Sequence, residues 1–98
     1  ELIVTGGGAS SHLMLEILAA VSERPVRRPA ITDAAGVGAA ITAAVGTGLH
    51  AGWSEAVAAM VGDGVRVEPD PELVAAYRTV RAEYLRVIPR VQRLFAEE

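Results

Sequence analysis

The chain contains no cysteine and no lysine, and each absence excludes a class of chemistry. Without cysteine it can form neither a disulfide framework nor a thiolate metal site, and it has no thiol nucleophile. Without lysine it lacks a Schiff-base amine and the lysine that completes a phosphate-binding P-loop of the GxxxxGK[ST] type. All nine of its basic residues are therefore arginines.

Long apolar runs and a strong net charge are also lacking. No uninterrupted apolar run reaches the ~20 residues that a membrane-spanning helix needs, and no signal peptide is visible. The formal net charge of −3 gives no general attraction to nucleic acid or to an anionic membrane. We therefore expect a cytoplasmic protein that binds neither. Because the chain opens at Glu1, almost inside its first predicted strand, we also expect it to be part of a larger protein.

Three consecutive glycines near the start of the chain are its most informative feature. Gly6, Gly7 and Gly8 stand between an apolar stretch that predicts a strand at residues 2–5 and a pattern that predicts a helix over residues 13–21. A turn without side chains lets a ligand lie against the main chain, beside amide groups and the positive N-terminus of a helix. This arrangement is typical of a nucleotide site.

Ser10 or Ser11 is the expected N-cap of the first predicted helix. The segment after this helix contains a further extended piece and a further helix. A short extended piece begins at Val26. A second helix, capped by Thr32 or Asp33, covers residues 34–45 and is closed by Gly46. The pattern thus alternates strand and helix, which is typical of an α/β fold.

The second half of the chain predicts two more helices and one more extended piece. Ser54 is the expected cap of a third helix that ends at Val61, and residues 65–67 are expected to be extended. Asp70 suits the cap of the last helix and Pro71 its first position. With the first half, this gives short strands and about four helices.

Two of these helices carry apolar side chains at helical spacing, so each has a face that we expect to be buried. In the first helix these are Met14, Ile17, Leu18 and Val21. In the last helix, which we expect to end at Pro89, they are Leu73, Tyr77, Val80, Tyr84 and Val87.

The second helix contains two interior glycines, Gly36 and Gly38, each of which costs about 1 kcal/mol relative to alanine. Such a cost indicates a close approach by another part of the protein. One interpretation is tight packing against the sheet or a neighbouring helix. The other is a domain hinge, where small residues let two helices cross.

The glycine run allows more than one interpretation from its residues alone. Gly6, Gly8 and Ser11 give GxGxxS, whereas the dinucleotide-binding fingerprint needs a third glycine and an acidic residue about 20 positions further on. Arg27 and Arg28 stand near that place, which would suit an NADP-binding Rossmann fragment. A plain structural turn without a ligand is a further alternative.

A family resemblance covers essentially the whole chain. Residues 4–9, VTGGGA, resemble the adenosine motif of the actin and sugar-kinase superfamily. The longer run over residues 4–26 resembles the C-terminal domain of FGGY-type carbohydrate kinases, especially xylulose-kinase-like members. Residues 33–44 resemble the small-residue helix of that family, which connects its domains, and residues 68–84 resemble its tail with two prolines and two tyrosines.

The resemblance implies a fragment of an actin-like, ribonuclease H-like ATPase domain, with residues 1–98 forming the C-terminal portion of the nucleotide-binding domain. It implies ATP-dependent phosphorylation of a sugar or polyol hydroxyl, with a pentulose such as xylulose as the expected substrate. The resemblance places the adenosine and its phosphates on five residues: Gly6, Gly7, Gly8, Ala9 and Ser11. The catalytic base, the sugar site and most Mg²⁺ contacts are expected outside this chain, so the fragment alone is expected to be inactive.

Other polar residues carry weaker functional signals. His12 suits a solvated helix start, and His50 has no second ligand at metal spacing, so neither is assigned to a metal. The arginines near the end of the chain suit a solvated surface or contact with a partner subunit, and a homodimer is one assembly to expect. An alternative function is a non-catalytic interaction or regulatory module that retains an actin-like subdomain.

Overall fold

The computed structural model describes residues 1–96 and contains the elements of an α/β fold. In chain order they are β1 (Leu2–Ile3), a 3₁₀ turn (Gly7–Ser10), α1 (His12–Ser22), β2 (Val26–Arg28), α2 (Ala34–Gly46), α3 (Trp53–Met60), β3 (Val65–Val67) and α4 (Pro71–Ala96). The predicted fold class, short strands with four helices, is confirmed.

The three strands form one small sheet in the order β1-β2-β3. Strands β1 and β2 are parallel and are connected by α1, whereas β3 runs antiparallel to β2. The assigned β1 is shorter than the predicted strand, but the Val4 amide still donates to the Arg27 carbonyl at 2.9 Å. Because β1 and β2 are parallel, the loops that follow them leave the sheet at the same edge.

The core lies between α1 and the sheet. Leu15 and Val26 are completely buried, with Ala19 and Val67 beside them. The predicted buried face of α1 is correct only in part: Leu18 packs against the core, whereas Met14 is 43% and Val21 37% exposed. Apolar residues occupy most of the circumference of α1, so their spacing could not select the face that meets the sheet.

Helix starts follow the predicted capping chemistry in three of four cases. The Ser11 hydroxyl accepts from the Met14 amide at 3.3 Å, and an Asp33 oxygen accepts from the Gly36 amide at 3.0 Å. Asp70 accepts from two amides at the start of α4. The prediction for α3 is wrong, because Gly52 is its N-cap and Ser54 lies inside the helix. Gly52 is fully extended there and provides no side-chain cap.

Helix α4 is longer and more exposed than the sequence predicts. It continues through Pro89 to Ala96, and none of its described residues is buried. A proline inside a helix removes one hydrogen bond but does not have to end the helix. The predicted buried stripe is also wrong, since Val80 and Tyr84 are 58% and 64% exposed. Among the described elements, α1 is the one that packs extensively against α4.

The contact between α1 and α4 includes a two-pronged ion pair. Nε and Nη2 of Arg78 donate to Oε1 and Oε2 of Glu23, each at 2.8 Å. The hydrogen bond from Arg78 lowers the pKa of Glu23 below its ordinary value. Glu23 caps the end of α1 in the left-handed conformation, with φ 53°.

The described chain is flat and open. Its extents are 53 × 41 × 19 Å and its radius of gyration is 18.5 Å, whereas a compact domain of this length has about 13 Å. Among residues 1–96, no helix combines the length and the apolar character that a membrane span requires.

Candidate functional site

The glycine turn begins with a backbone conformation that suits glycine almost exclusively. Gly6 has φ 89° and ψ −178°, and the next four residues form a single 3₁₀ turn. The Gly6 amide donates to the Thr32 carbonyl at 2.9 Å. This bond fixes the turn after β1 to the segment that leads from β2 into α2.

Besides the Gly6 amide, two more amides of the turn are engaged within the protein, whereas those of Gly7 and Gly8 are free to meet a ligand. The Ala9 amide donates to the Gly6 carbonyl at 3.1 Å, and the Ser11 amide donates to the Gly8 carbonyl at 3.3 Å. Within residues 1–96, the amides of Gly7 and Gly8 donate to no main-chain carbonyl outside the regular elements, as expected for the first amides of a helical turn.

An open cleft of about 430 Å³ lies beside this turn. Its lining comes from both loops at the same edge of the sheet: Thr5, Gly6, Gly7, Thr32, Asp33, Ala34 and Ala35. The structure thus places two of the five predicted binding residues, Gly6 and Gly7, on the cleft.

The other three predicted binding residues shape the turn. Gly8 lies next to the lining, and the Ala9 side chain is completely buried beneath the turn. Ser11 caps α1 with its hydroxyl. Arg28 holds the turn from β2 by donating to the Ala9 carbonyl at 3.3 Å.

Sequence reasoning missed the second half of the cleft, at the start of α2. A signal for it was available: consecutive parallel strands bring the loops at their carboxyl ends together, so the segment after β2 had to lie near the glycine turn. The Asp33 carboxylate carries the only formal charge in the lining. The cleft therefore combines exposed main chain with one negative group and no cation.

The two interior glycines of α2, Gly36 and Gly38, have different surroundings. A Cβ added at Gly36 would lie 2.5 Å from Oδ2 of Asp33, so the close approach at Gly36 is to the cap of its own helix. A Cβ at Gly38 would meet no described atom within 4 Å. One predicted interpretation was tight packing of these glycines against the sheet or a neighbouring helix. Within the described chain, neither glycine is in close contact with a neighbouring helix.

The arginines that suggested an NADP site are engaged with the protein itself. Arg27 donates to the Glu1 carboxylate at 3.1 Å, and this hydrogen bond is the main cause that lowers the pKa of Glu1. Arg28 contacts the glycine turn from below, as described above. Neither side chain lines the cleft, so the Rossmann alternative receives no support from their placement.

The histidines pair with nearby carboxylates. Nδ1 of His50 lies 3.1 Å from Oε1 of Glu55, and this hydrogen bond is the main cause that lowers the pKa of Glu55. His12 lies 3.6 Å from Glu16 on α1. Across residues 1–96, no three or more His, Asp or Glu side chains come together as a metal site would require.

Comparisons with known proteins point to one family. The family model described as the FGGY family of carbohydrate kinases, C-terminal domain, matches residues 1–47. The uncharacterized sugar kinase YgcE of Escherichia coli is 48% identical over 61 residues, which are 62% of this chain and 12% of that protein. The autoinducer-2 kinase of Escherichia coli is 35% identical over 84 residues, which are 86% of this chain and 16% of that protein.

A solved structure is similar over nearly the whole chain. The xylulose kinase from Rhodospirillum rubrum matches 91% of this chain and 19% of its own length, with 33% identity and a TM-score of 0.61. The chain thus spans less than a fifth of the length of each of these relatives.

Proposed function

The chain belongs to the FGGY family of carbohydrate kinases, as part of its C-terminal domain, and we propose that it binds the adenosine of ATP in a sugar kinase. The observation that carries this proposal is the cleft beside the glycine turn. Gly6 and Gly7 present bare main chain there, and the Gly7 and Gly8 amides have no main-chain partner outside the regular elements of residues 1–96. Such amides can donate hydrogen bonds to the ring nitrogens or oxygens of a nucleotide.

The charge of the cleft favours adenosine over the phosphates. Its lining contains one carboxylate, that of Asp33, and no basic side chain. A phosphate chain placed there would be repelled, whereas a ribose hydroxyl could donate to the carboxylate. We therefore propose that the nucleoside lies in this cleft and that its phosphates extend toward parts of the kinase outside this chain.

The remaining predicted binding residues have supporting parts in this proposal. Ala9, buried under the turn, and Ser11, the cap of α1, hold Gly7 and Gly8 in place. The Gly6–Thr32 hydrogen bond keeps the two walls of the cleft at a fixed separation. A rigid turn binds a nucleotide without first losing conformational entropy, so less binding energy is spent on ordering it.

The proposed reaction is transfer of the γ-phosphoryl group of ATP to a sugar or polyol hydroxyl. Phosphoryl transfer depends mainly on positioning and on neutralisation of charge, and Mg²⁺ would supply part of that charge. The described residues offer no carboxylate cluster for the metal, so we derive no step through it. We expect Mg²⁺, the sugar and the catalytic base to be held by residues outside this chain, in a cytoplasmic enzyme.

The proposed substrate is a pentulose such as xylulose. The similarity to a xylulose kinase structure over 91% of the chain supports this choice. The autoinducer-2 kinase and YgcE are also relatives, so the substrate panel below includes more than pentuloses.

The first experiment tests the kinase proposal on the full-length protein that carries this chain. ADP release is measured with ATP, Mg²⁺ and a panel of pentuloses, hexuloses, polyols and autoinducer-2. We expect sugar-dependent turnover, highest with a pentulose. A folded protein that binds no nucleotide and phosphorylates no member of the panel would contradict the proposal and favour the non-catalytic module.

The second experiment tests the cleft with Gly7→Val and, as a matched control, Gly46→Val. Gly7 has an ordinary φ and open space around an added Cβ, so the valine variant should fold while its side chain enters the cleft. Gly46 is equally open, at the end of α2 and away from the cleft. We expect ATP affinity to fall about tenfold or more in Gly7→Val alone, which corresponds to ~1.4 kcal/mol.

Sugar affinity, measured in the absence of nucleotide, should be unchanged in both variants. Normal ATP affinity in a folded Gly7→Val protein would mean that the triple glycine is only a structural turn. The kinase assignment could then still hold, but the proposed nucleotide site would be wrong.

A further inference from the structure

Arg28, the last residue of β2, contacts the glycine turn from outside the cleft. It lies on the same face of the sheet as Val26, because alternate residues of a strand share a face, and this is the face that α1 covers. Its Nη1 nitrogen lies 3.3 Å from the carbonyl oxygen of Ala9 and 3.5 Å from that of Ser10. A single guanidinium nitrogen thus donates to both carbonyls at the end of the turn.

These two carbonyls have no second partner in the described chain. The three carbonyls before them accept hydrogen bonds from within the turn or from its C-cap. Across residues 1–96, those of Ala9 and Ser10 accept only from Arg28. None of the ion pairs of residues 1–96 includes Arg28, so no carboxylate of the described chain offsets its charge.

The glycine turn has two ends of opposite polarity, and Arg28 lies at the negative one. The amides of a helical turn point toward its start and the carbonyls toward its end. The start carries the amides of Gly7 and Gly8, beside the cleft. A cation that donates to the last carbonyls stabilises a helical turn. Arg28 therefore favours the conformation that leaves the Gly7 and Gly8 amides available to a ligand.

The position of Arg28 is fixed in turn by β3. Arg28 pairs with Val65 in the antiparallel register. The chain just before β3 passes so close that a Cβ added at Gly64 would overlap the Arg28 carbonyl oxygen, and only a residue without a side chain allows this approach. Strand β3 contributes no residue to the cleft, yet it supports the glycine turn through Arg28.

We propose that Arg28 is a positioning residue of the nucleotide site and that it raises ATP affinity through the glycine turn. This inference rests on the proposed function, because it gives Arg28 a part in the same ATP site. Arg28 does not line the cleft, so it acts without touching a nucleoside bound there. By holding the turn in its helical conformation beforehand, it reduces the conformational entropy that ATP binding would otherwise cost.

The first test compares Arg28→Met with Arg27→Met in the full-length protein. The two residues are adjacent and both half-buried, but Arg27 lies on the other face of the strand and donates to Glu1. We expect the Kd and the KM for ATP to rise about threefold to tenfold in Arg28→Met and to keep their wild-type values in Arg27→Met.

The kcat and the KM for sugar should be unchanged in both variants, because contacts to adenosine are the same in the ground state and the transition state. Equal ATP affinity of the two folded variants would overturn the proposal. So would a fall in kcat at saturating ATP with an unchanged KM for ATP.

The second test asks whether the hydrogen-bonded cation is the part of Arg28 that matters. Because Nη1 alone contacts both carbonyls, the ammonium group of lysine can take its place. We expect the ATP affinity of Arg28→Lys to stay within about twofold of wild type, and that of the neutral Arg28→Gln to match Arg28→Met. An equal loss in all three variants would contradict the proposal. Failure of both neutral variants to fold would show that Arg28 is required by the fold itself and would also overturn it.

The third test needs no nucleotide, so it separates this proposal from the proposed function. NMR spectra of the full-length protein with isotopically labelled glycine report the amides of Gly7 and Gly8, and Gly7→Ala and Gly8→Ala assign the two signals. We expect both signals to shift or broaden in Arg28→Met and to stay in place in Arg27→Met. Unchanged signals in Arg28→Met would refute the proposal. A wild type that binds no ATP would overturn the proposed function and the effect on affinity, whereas signals that still move would show that Arg28 holds the turn.

Discussion

The conformation of Gly6 gives the sharpest stability prediction. Its φ of 89° and ψ of −178° lie in a region that residues with a side chain rarely adopt, and occupying it costs them of order 1–3 kcal/mol. A Cβ added at Gly6 would meet no described atom within 4 Å, and alanine keeps the amide that donates to Thr32. The cost of Gly6→Ala is therefore almost entirely backbone strain.

An opposing effect comes from the unfolded chain. Replacing glycine by alanine reduces the conformational freedom of the unfolded state, which favours folding by about 0.4–1 kcal/mol. The net expectation for Gly6→Ala is a loss of about 1–2 kcal/mol in the free energy of unfolding. Gly7→Ala is the matched control, because Gly7 is equally open but has an ordinary φ. We expect its free energy of unfolding to stay unchanged or to rise by up to about 1 kcal/mol.

Urea unfolding of the two full-length variants, followed by circular dichroism, measures this difference. Gly6→Ala should unfold at a lower urea concentration than wild type, and Gly7→Ala should not. Equal midpoints for the two variants would refute the argument that the turn depends on a positive φ at Gly6.

Four further predictions address stability, pH dependence and activity. Gly36→Ala crowds the capping carboxylate of α2, whereas Gly38→Ala meets open space, so the second should be the more stable by about 1 kcal/mol in urea unfolding. Gly64→Ala places a methyl group inside the backbone of β2 and should lower the free energy of unfolding by at least ~2 kcal/mol; a wild-type urea midpoint would contradict this. The Arg78 hydrogen bond lowers the pKa of Glu23 below the ordinary 4.5, so this pair stabilises the fold above pH 4.5 and progressively less as the pH falls through the lowered pKa. Glu23→Gln should therefore flatten the fall in stability below pH 4.5, and an identical pH profile to wild type would exclude this contribution. The 98-residue chain alone should show no sugar-dependent ADP release, because none of residues 1–96 is placed to act as the base for a sugar hydroxyl; robust turnover would contradict this.

The features that the sequence could predict are those set by neighbouring residues, such as helix caps and turns. Asp33 and Asp70 stand directly before runs that favour helix, and a side chain next to the amides it caps needs no tertiary information. The glycine turn was predictable for the same reason, because a strand, a turn and a helix follow one another within a few residues. The prediction was wrong at Ser54, because Gly52 is the N-cap of α3.

The buried faces and the second wall of the cleft were harder to predict. Leu15 rather than Met14 faces the sheet because tertiary packing rotates α1, and a helix that is apolar on most sides does not encode that rotation. The spacing of Tyr77, Val80 and Tyr84 was recognised correctly, but spacing alone does not say what covers a stripe. The wall of the cleft that contains Asp33 lies beside the glycine turn because β1 pairs with β2. The residues that form this pairing are far apart in sequence.

The hydrogen bond from the Gly6 amide to the Thr32 carbonyl also gives this site a built-in reporter. At 2.9 Å, this amide can exchange its hydrogen with solvent only when the glycine turn separates from the start of α2. Its exchange rate therefore measures how often the two walls of the cleft part. If they move as one body, nucleotide should slow exchange at the Gly7 and Gly8 amides and leave Gly6 protected throughout.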